Sequence, residues 1–392
     1  MKTFAYWSRL DEQPADGLLK LIGMFAADPR DDKIDLGVGV YKDEGGATPV
    51  FESVKSAERQ LVESQPTKSY VGPEGDIGFF RGLLPIIFGA DAPTQRIVGL
   101  QTPGGTGALR LGFELLARAN KEATWHVGAP TWANHPPIAS AVGLKMASYP
   151  HIDLSTQALC IDEMKAALAA ATPGDIVLLH GCCHNPTGAD YSEAEWAMIA
   201  ELCAERGLLP FIDLAYQGLG DGLEQDAAGV RIMARKCPEL LVAYSCDKNF
   251  GLYRERVGAL FLLAGDAENA ALAQTNLLSL ARANWSMPPD HGAAVARMIL
   301  ESDELTAVWK RELEGMRQRI VAMREGLAAL EPSLAFMTRQ KGMFSTLHLT
   351  PEQIVALREV HGVYMAGSGR INIAGLVPAN LSQFVRALSA AS

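Results

Sequence analysis

Residues 240–263 read LLVAYSCDKNFGLYRERVGALFLL, a polar turn between two apolar runs. Both runs have the length and composition of buried β-strands. Lys248 would therefore lie where an ammonium is poorly hydrated, which favours the neutral amine that condenses with an aldehyde or ketone. Ser245 and Arg256 flank it with a hydroxyl and a guanidinium, groups that can hold a phosphate. The alternative is an ordinary loop lysine paired with a neighbouring acid such as Asp247, and this segment alone leaves both interpretations open.

The composition is that of a globular protein with a large core. The chain has 392 residues, of which 48% are hydrophobic and 20% charged, enough for two domains or one large and one small. The net charge of −10 argues against nucleic acid or an anionic membrane as a partner. The cysteines, including the adjacent pair Cys182-Cys183, show no zinc-type spacing, so we expect no metal and reduced thiols. Without a signal-peptide pattern or a membrane-length apolar stretch, we expect a cytoplasmic protein.

Strands and helices alternate through the middle of the chain. Apolar runs that predict buried strands occur at 124–128, 176–180, 208–213 and 240–245. Helical patterns lie between them, and one begins at Ser192 with Glu195 in capping-box position. This alternation predicts an α/β fold whose mostly parallel sheet is covered on both faces.

Polar residues follow several of these strands directly. They are His180, Asn185, Asp213, Tyr216, Ser245 and Lys248. Parallel sheets bind ligands beyond the carboxyl ends of their strands, so these side chains are expected to meet at one site. The segment Gly104-Gly105-Thr106-Gly107 opens a helix, where free backbone N–H groups favour an anion. An ordinary helix start is the alternative, and the glycine spacing fits neither a Walker loop nor a dinucleotide fingerprint.

Together these residues complement the functional groups of one particular small molecule. A buried carboxylate such as Asp213 needs a cationic partner, and a protonated pyridine nitrogen would serve. Tyr216 and Asn185 could hydrogen-bond a phenolic oxygen, while Trp132 could stack on a ring. Each residue alone has an ordinary structural explanation. An aldehyde for Lys248, a phosphate, a pyridine nitrogen and a phenol together describe pyridoxal 5′-phosphate.

The regular alternation of strands and helices ends towards the C-terminal part of the chain. Residues 303–330 predict one long amphipathic helix, followed by strand-like pieces and a helix with Thr350 as its N-cap. A terminal helix begins at about residue 379, and Arg370 stands at the start of a predicted strand. We interpret this region as part of a second, smaller α+β domain.

Seven motifs are spread along the chain: DLGVGVY (35–41), GGTGALR (104–110), HGCCHNPTG (180–188), DLAYQG (213–218), KNFG (248–251), RVG (256–258) and SGR (368–370). With these motifs the chain resembles, from end to end, the fold-type I aminotransferases of the aspartate and aromatic amino acid group. The resemblance implies a large domain, residues 49–311, with a mostly parallel seven-stranded sheet flanked by helices. It further implies a small domain formed by residues 13–48 and 312–392, and an N-terminal arm at residues 1–12.

The resemblance also implies roles around the cofactor. Lys248 would form an imine with the pyridoxal phosphate aldehyde and later move the substrate proton. Asp213 would keep the pyridine nitrogen protonated, and Tyr216 with Asn185 would hold the ring oxygen. The remaining implied contacts are the phosphate ligands Gly105, Thr106, Ser245 and Arg256, the stacking Trp132, and His135 and His180 behind the ring.

Substrate contacts follow from the same resemblance. Arg370 would clamp the substrate α-carboxylate with help from Asn185 and the backbone of Gly39. Tyr70 would reach the phosphate, and Arg282 a distal carboxylate, from the neighbouring subunit of a homodimer that the N-terminal arm wraps. Phe344 and Met287 are assigned to the substrate pocket as well.

Two residues depart from the family pattern. Asp247 replaces a small hydroxyl residue, and its carboxylate would repel the cofactor phosphate or pair with Lys248. Met287 replaces an asparagine common in aspartate-selective relatives and would suit an aromatic substrate. The sequence therefore predicts an aminotransferase that uses aromatic amino acids or aspartate with 2-oxoglutarate. The alternatives are an aspartate-selective enzyme, another pyridoxal phosphate reaction, and a catalytically idle binding protein on this fold.

Overall fold

The computed structural model describes residues 6–13 and 17–391 of the chain. The α-helices in these ranges are α1 Gly17–Ala27, α2 Glu52–Ser64, α3 Ile77–Phe88, α4 Gly104–Ala119, α5 His135–Ser140, α6 Ile161–Ala170, α7 Glu193–Arg206, α8 Ala228–Lys236, α9 Ala267–Asn284, α10 Asp290–Glu301, α11 Asp303–Leu330, α12 Pro351–Glu359 and α13 Leu381–Ala391. The strands are β1 Ile34–Asp35, β2 Ile97–Pro103, β3 Thr124–Ala129, β4 Lys145–Pro150, β5 Ile152–Asp153, β6 Ala158–Leu159, β7 Ile176–His180, β8 Leu209–Leu214, β9 Leu240–Ser245, β10 Val257–Leu263, β11 Phe344–Thr346, β12 Val363–Tyr364 and β13 Arg370–Asn372.

The central sheet has seven strands in the order β2-β10-β9-β8-β7-β3-β4. Neighbours from β9 to β4 run parallel. Strand β10 is antiparallel to both β9 and β2, with Gly258 opposite Ser245 on one side and opposite Thr102 on the other. The predicted fold class, an α/β protein with a mostly parallel seven-stranded sheet, is confirmed.

Both faces of this sheet are buried, as the continuous apolar strands predict. Along β8, Ile212 and Leu214 belong to one core cluster, whereas Phe211, directly before Ile212, belongs to the other. Helices α7, α8 and α10 contribute to the first cluster, and α4 and α9 to the second. The strand period of two thus distributes apolar side chains to both layers of helices.

Local sequence signals set several helix ends as expected. Ser192 accepts a hydrogen bond from the backbone N–H of Glu195, which closes a capping box at the start of α7. Gly207 ends the same helix in a left-handed conformation with φ of +64°, which favours glycine. Thr350 caps α12 through the same type of box with Gln353. The long helix α11 runs over the predicted residues, 303–330.

Short strands connect the first described segments with the last hundred residues. Strand β1 pairs in parallel with β12, and β11 pairs antiparallel with β13. The division into residues 13–48 with 312–392 and 49–311 stays a prediction, and α11 continues through the proposed boundary at residue 311. The first five residues of the proposed arm lie outside the described residues, while Trp7 is 82% exposed.

Among the described residues, no helix is both long enough and apolar enough to cross a membrane.

Candidate active site

One cavity lies at the carboxyl ends of the parallel strands. All the predicted cofactor residues except Arg256 and Tyr70 line it: Gly105, Thr106, Trp132, Asn185, Asp213, Tyr216, Ser245 and Lys248. His180 and Asp247 line it too. The empty space, including the part open to solvent, is about 400 Å³, within the range of small-molecule sites.

The turn between β9 and β10 presents Lys248. The backbone N–H of Cys246 donates to the carbonyl of Val257 at 2.9 Å, so the two strands hold the turn at its base. The Nζ atom of Lys248 lies 5.1 Å from the ring centroid of Tyr216. The side chain is half-buried, and its amine therefore faces the cavity that the neighbouring strand ends form.

Helix α4 provides the anion-binding end of the cavity. It begins at Gly104, directly after β2, and no side chain caps its first turn. Its first N–H groups are therefore available to a ligand, and the helix dipole favours a negative one. Gly104 has φ of +70°, and a Cβ there would lie 2.5 Å from Nη2 of Arg256. A Cβ on Gly105 would lie 2.9 Å from that of Ser245, so both glycines keep this corner open.

A line of hydrogen bonds orients Asp213. Its Oδ2 lies 3.0 Å from Nε2 of His135, and Nδ1 of His135 lies 2.8 Å from Oγ1 of Thr131. The same Oγ1 atom lies 2.9 Å from Nε2 of His180. A carboxylate can only accept, so His135 donates to Asp213 and, when neutral, accepts from Thr131. Burial lowers the pKa of His180 well below its ordinary value, so His180 is neutral and donates to Thr131.

The line of imidazoles continues away from the cavity. His184 lies 4.1 Å from His180 between ring centroids, and His151 stacks on His184 at 3.8 Å. His151 Nε2 is 2.9 Å from the carbonyl of Ala189, and its Nδ1 is 3.1 Å from the hydroxyl of Tyr191. Burial lowers the pKa of His151 to about 4. These rings form a rigid, uncharged support behind the carboxylate.

Tyr216 joins the cavity to the predicted carboxylate clamp. The amide of Asn185 donates to the Tyr216 hydroxyl at 3.3 Å, and the Tyr216 ring meets Phe344 edge-on at 6.0 Å. Arg370 also packs on Phe344, 4.7 Å from its centroid. Nη2 of Arg370 donates to the carbonyl of Gly37 at 2.7 Å, whereas its Nε is buried without a hydrogen-bond partner among the described residues. Part of this guanidinium therefore has donors left for a ligand.

Buried Arg324 of α11 fixes the strand that carries Phe344. It donates to the carbonyl of Phe344 at 2.6 Å and to Oγ of Ser345 at 2.8 Å. Burial lowers the pKa of Arg324 to about 10. A Cβ on Gly188 would lie 2.4 Å from the Phe344 carbonyl oxygen, so the end of the 180–188 motif packs directly on this strand. Gly39 completes the contact, because a Cβ there would lie 3.2 Å from the Phe344 ring.

Gly39, Arg256, Phe344 and Arg370 do not line the cavity themselves, and neither do three further predicted site residues, Tyr70, Arg282 and Met287. Tyr70 is 92% exposed. Arg282 is exposed and donates to the hydroxyl of Ser286. Met287 is half-buried, and its sulfur accepts from the backbone N–H of Val71 at 3.3 Å. The resemblance implied that Tyr70 and Arg282 act from a neighbouring subunit, and it assigned Met287 to the substrate pocket.

The predicted phosphate ligand Arg256 already has a partner. Its Nη1 atom lies 2.6 Å from Oδ2 of Asp247, so the carboxylate before Lys248 pairs with this arginine rather than with the lysine. Nη1 also donates to the carbonyl of Tyr253 at 3.1 Å. Arg256 itself has φ of +54°, a conformation that a sequence pattern does not reveal.

The cavity fits pyridoxal phosphate in its donor and acceptor set. Lys248 offers an amine to the aldehyde, and the start of α4 offers N–H groups to the phosphate. Asp213 uses Oδ2 for His135, and no described residue donates to its Oδ1, which leaves an acceptor for a protonated pyridine nitrogen. Tyr216 and Asn185 offer hydrogen bonds to the ring oxygen. Two carboxylates, Asp213 and Asp247, line the cavity. Asp247, the one paired with Arg256, is the carboxylate whose charge opposes a phosphate at the start of α4.

Thr131 and the outer histidines were not predicted as part of the site. Thr131 stands beside the predicted Trp132 and follows β3, at the edge of the sheet where ligands bind. His151 and His184 gave no signal, because they meet only in the folded chain. Arg324 also gave none, since a helix pattern does not show which arginine is buried.

Buried Cys182, Cys183 and Asp226 place potential metal ligands within 4.8 Å of one another. The Asp226 carboxylate already accepts backbone N–H groups of Gly218, Gly220 and Asp221 at 2.7–2.9 Å. Its oxygens are therefore engaged in holding the loop after β8.

Comparison with known proteins gives concordant results. The family model described as "Aminotransferase class I and II" matches residues 31–388. A tyrosine aminotransferase of Rhizobium meliloti (strain 1021) is 50% identical over 95% of this chain and 97% of its own length. An aspartate aminotransferase of Salmonella typhi is 45% identical over 96% and 98%, respectively. The solved structure of an aromatic-amino-acid aminotransferase from Burkholderia pseudomallei, covalently bound to pyridoxal phosphate, superimposes with a TM-score of 0.97 at 39% identity, covering 99% of this chain and all of that one.

The sheet is that of a fold-type I enzyme, a class whose solved member described above binds pyridoxal phosphate covalently. The chain belongs to the class I and II aminotransferase family. The resemblance inferred from the motifs is thereby confirmed, and so are the cofactor and the aminotransferase activity.

Proposed function

We propose that this aminotransferase moves an amino group from an aromatic amino acid, or from aspartate, to 2-oxoglutarate. The observation that carries the proposal is the position of Arg370, which packs on the ring of Phe344, a ring that also contacts the cavity residue Tyr216. An α-carboxylate clamped there would have its Cα over the cavity that Lys248 lines. The names of the tyrosine and aspartate aminotransferases described above support both substrate classes.

Lys248 and Asp213 would perform the central steps. Pyridoxal phosphate, when bound, supplies an electron sink for the electrons released at the substrate Cα. Lys248 would hold the cofactor covalently between reactions and, once freed by substrate, would move the proton at Cα. Asp213 would hold a proton on the pyridine nitrogen, in an orientation that His135, Thr131 and His180 maintain.

Tyr216 would act as a hydrogen-bond donor to the ring oxygen. Burial raises the pKa of Tyr216 above its ordinary value, so the hydroxyl keeps its proton at neutral pH. Asn185 donates to the same hydroxyl oxygen, which leaves the phenolic O–H free to point at a ligand. The two residues thus fix one edge of the ring.

The distal part of the substrate would meet residues of a second subunit. Tyr70 and Arg282 are exposed here, and a homodimer would bring the partner's copies over this cavity. A guanidinium suits the second carboxylate of aspartate or 2-oxoglutarate. Met287 adds an adaptable apolar surface for an aromatic ring. One pocket could therefore accept dicarboxylic and aromatic substrates in turn.

Catalytic efficiency separates the two substrate classes. We expect kcat/KM for phenylalanine or tyrosine with 2-oxoglutarate to exceed that for aspartate. The Lys248→Ala variant should lack activity with all of them. A strong preference for aspartate would replace the aromatic assignment by an aspartate-selective enzyme, for which the presence of Arg282 is the favouring observation. Product analysis in the same assay would reveal elimination or decarboxylation instead of transfer.

A further inference from the structure

The phosphate end of the cavity contains a carboxylate of its own. Asp247 is only 6% exposed and lines the cavity beside Lys248. Its Oδ2 is paired with Arg256 at 2.6 Å, while its Oδ1 is buried without a hydrogen-bond partner among the described residues. A buried, half-satisfied carboxylate at an anion site opposes the ligand for which the rest of the site is built.

Both arginines near the start of α4 are already paired with carboxylates. Arg256 is paired with Asp247, and Arg110 is paired with Glu114 at 2.7 Å. A phosphate that enters beside Ser245 and Gly105 must therefore share Arg256 with Asp247 or displace it. The uncharged donors, which are backbone N–H groups and hydroxyls, remain fully available.

The covalent bond to Lys248 would compensate for this repulsion during only half of the reaction. An amine does not condense with a lysine, so pyridoxamine 5′-phosphate, the amine form that a transaminase produces from its cofactor, has no covalent attachment to the protein. Its retention depends on non-covalent contacts, of which the phosphate contacts are normally the most strongly charged.

We propose that Asp247 makes this aminotransferase release its cofactor in the amine form, by competing with the cofactor phosphate for Arg256. The enzyme's activity then depends on the concentration of free cofactor in its surroundings. The inference rests on the proposed site and deepens it: Asp247 determines how long the cofactor stays, whereas Lys248 and Asp213 determine what it does.

The test measures binding rather than turnover. Cofactor-free wild-type protein, Asp247→Asn and Asp247→Ser are titrated with pyridoxamine 5′-phosphate and with unphosphorylated pyridoxamine, using isothermal calorimetry. Both variants should bind the phosphorylated ligand about 10- to 100-fold more tightly, since one neighbouring charge typically shifts an equilibrium at a site by one to two powers of ten. Their affinity for pyridoxamine should equal that of the wild type.

Controls separate this effect from a general change in charge or folding. Glu314→Gln removes a more exposed carboxylate that pairs with Arg317 on α11 and does not line the cavity, so it should leave both affinities unchanged. Asp247→Asn preserves the side-chain shape, and circular dichroism checks that each variant is folded. The ratio of the two affinities is also informative. The wild type should prefer pyridoxamine 5′-phosphate over pyridoxamine by a smaller factor than the variants do.

Equal or weaker binding of pyridoxamine 5′-phosphate by Asp247→Asn would overturn the proposal, and so would an equal gain for pyridoxamine. Neither result would affect the proposed transamination, which fails only if amino transfer to 2-oxoglutarate is absent.

Discussion

At the scale of single residues, the site depends on side chains whose donors are kept free for a ligand. Arg370 illustrates this: one nitrogen donates to the Gly37 carbonyl, the guanidinium packs on Phe344, and Nε has no protein partner among the described residues. One nitrogen of the guanidinium is thus held by the protein, while another can donate a hydrogen bond to a ligand. A lysine could supply the charge but neither the fork nor the stacking.

We expect Arg370→Lys to lower kcat/KM for phenylalanine about 100-fold, because one charge-assisted hydrogen bond of the fork is lost. Steady-state kinetics with 2-oxoglutarate at saturation measures the loss. Arg317→Lys, which alters an arginine paired with Glu314 on α11, serves as the matched control. A similar decrease in both variants would assign the effect to stability rather than to the clamp.

The buried imidazoles make stability depend on pH. The pKa of His151 is lowered from its ordinary value of 6.5 to about 4 by burial, so between these values the unfolded chain binds a proton that the folded chain does not. Stability is therefore lost as pH falls from 6.5 towards 4, by up to about 3 kcal/mol for this residue. Burial raises the pKa of Asp190 to about 6, which acts in the opposite direction between about 4 and 6.

A variant isolates the contribution of His151. His151→Gln should show a shallower fall in the free energy of unfolding between pH 6.5 and 4.5 than the wild type, measured by urea denaturation. His348, which is exposed, provides the control substitution His348→Gln. An unchanged slope in His151→Gln would show that other groups govern acid sensitivity.

At the scale of secondary-structure elements, α4 positions the phosphate end of the cavity through its packing on the sheet. Gly112 allows the close approach, since a Cβ there would lie 2.4 Å from the ring of Phe211 on β8. Phe211 is fully buried and packs against Phe113 at 5.2 Å. The helix start is thus placed by a contact two turns away from it.

Gly112→Ala should lower the free energy of unfolding by about 1–3 kcal/mol, because the added methyl group overpacks this contact. Gly315, on α11, has no atom within 4 Å of a built Cβ, so Gly315→Ala should instead stabilise by about 0.5–1 kcal/mol. Urea unfolding compares the two. A stabilised Gly112→Ala variant would contradict the tight packing of α4 on β8.

Local signals predicted the elements well, and the site residues in part. The capping boxes at Ser192 and Thr350 and the extent of α11 follow from short-range patterns, so the sequence was sufficient. The pairing of Asp247 with Arg256 was not predictable, because it depends on the path of the turn and on a positive φ. The sequence places Thr131 beside Trp132, but only the fold places it between His135 and His180.

At the scale of the whole molecule, the exposure of Tyr70 and Arg282 favours a homodimer with shared active sites. Exposed apolar residues of the N-terminal segment, Trp7 and Leu10 among them, agree with an arm that lies on a partner. The location of the protein in the cytoplasm stays a prediction.

Subunit mixing tests the sharing. Lys248→Ala and Arg282→Ala homodimers should each be nearly inactive with aspartate, whereas a mixed dimer contains one intact site. Random mixing should then restore about a quarter of the wild-type rate, since half the dimers are mixed and each has one working site of two. Mixing Lys248→Ala with Asp213→Ala, two residues that line the same subunit's cavity, should restore nothing. Absence of rescue in the first mixture would place Arg282 in its own subunit's site.

The hairpin formed by β9 and β10 has a consequence for how such a chain can diverge. Its register fixes Ser245 opposite Gly258, and the connection between them carries Lys248, Arg256 and Asp247, to which we assign the nucleophile, a phosphate ligand and its competitor. An inserted or deleted residue in this connection would shift all three residues relative to α4, because the paired strands fix both of its ends. Descendants of this sequence can exchange side chains there one at a time, but they cannot alter the length of the connection without losing the site.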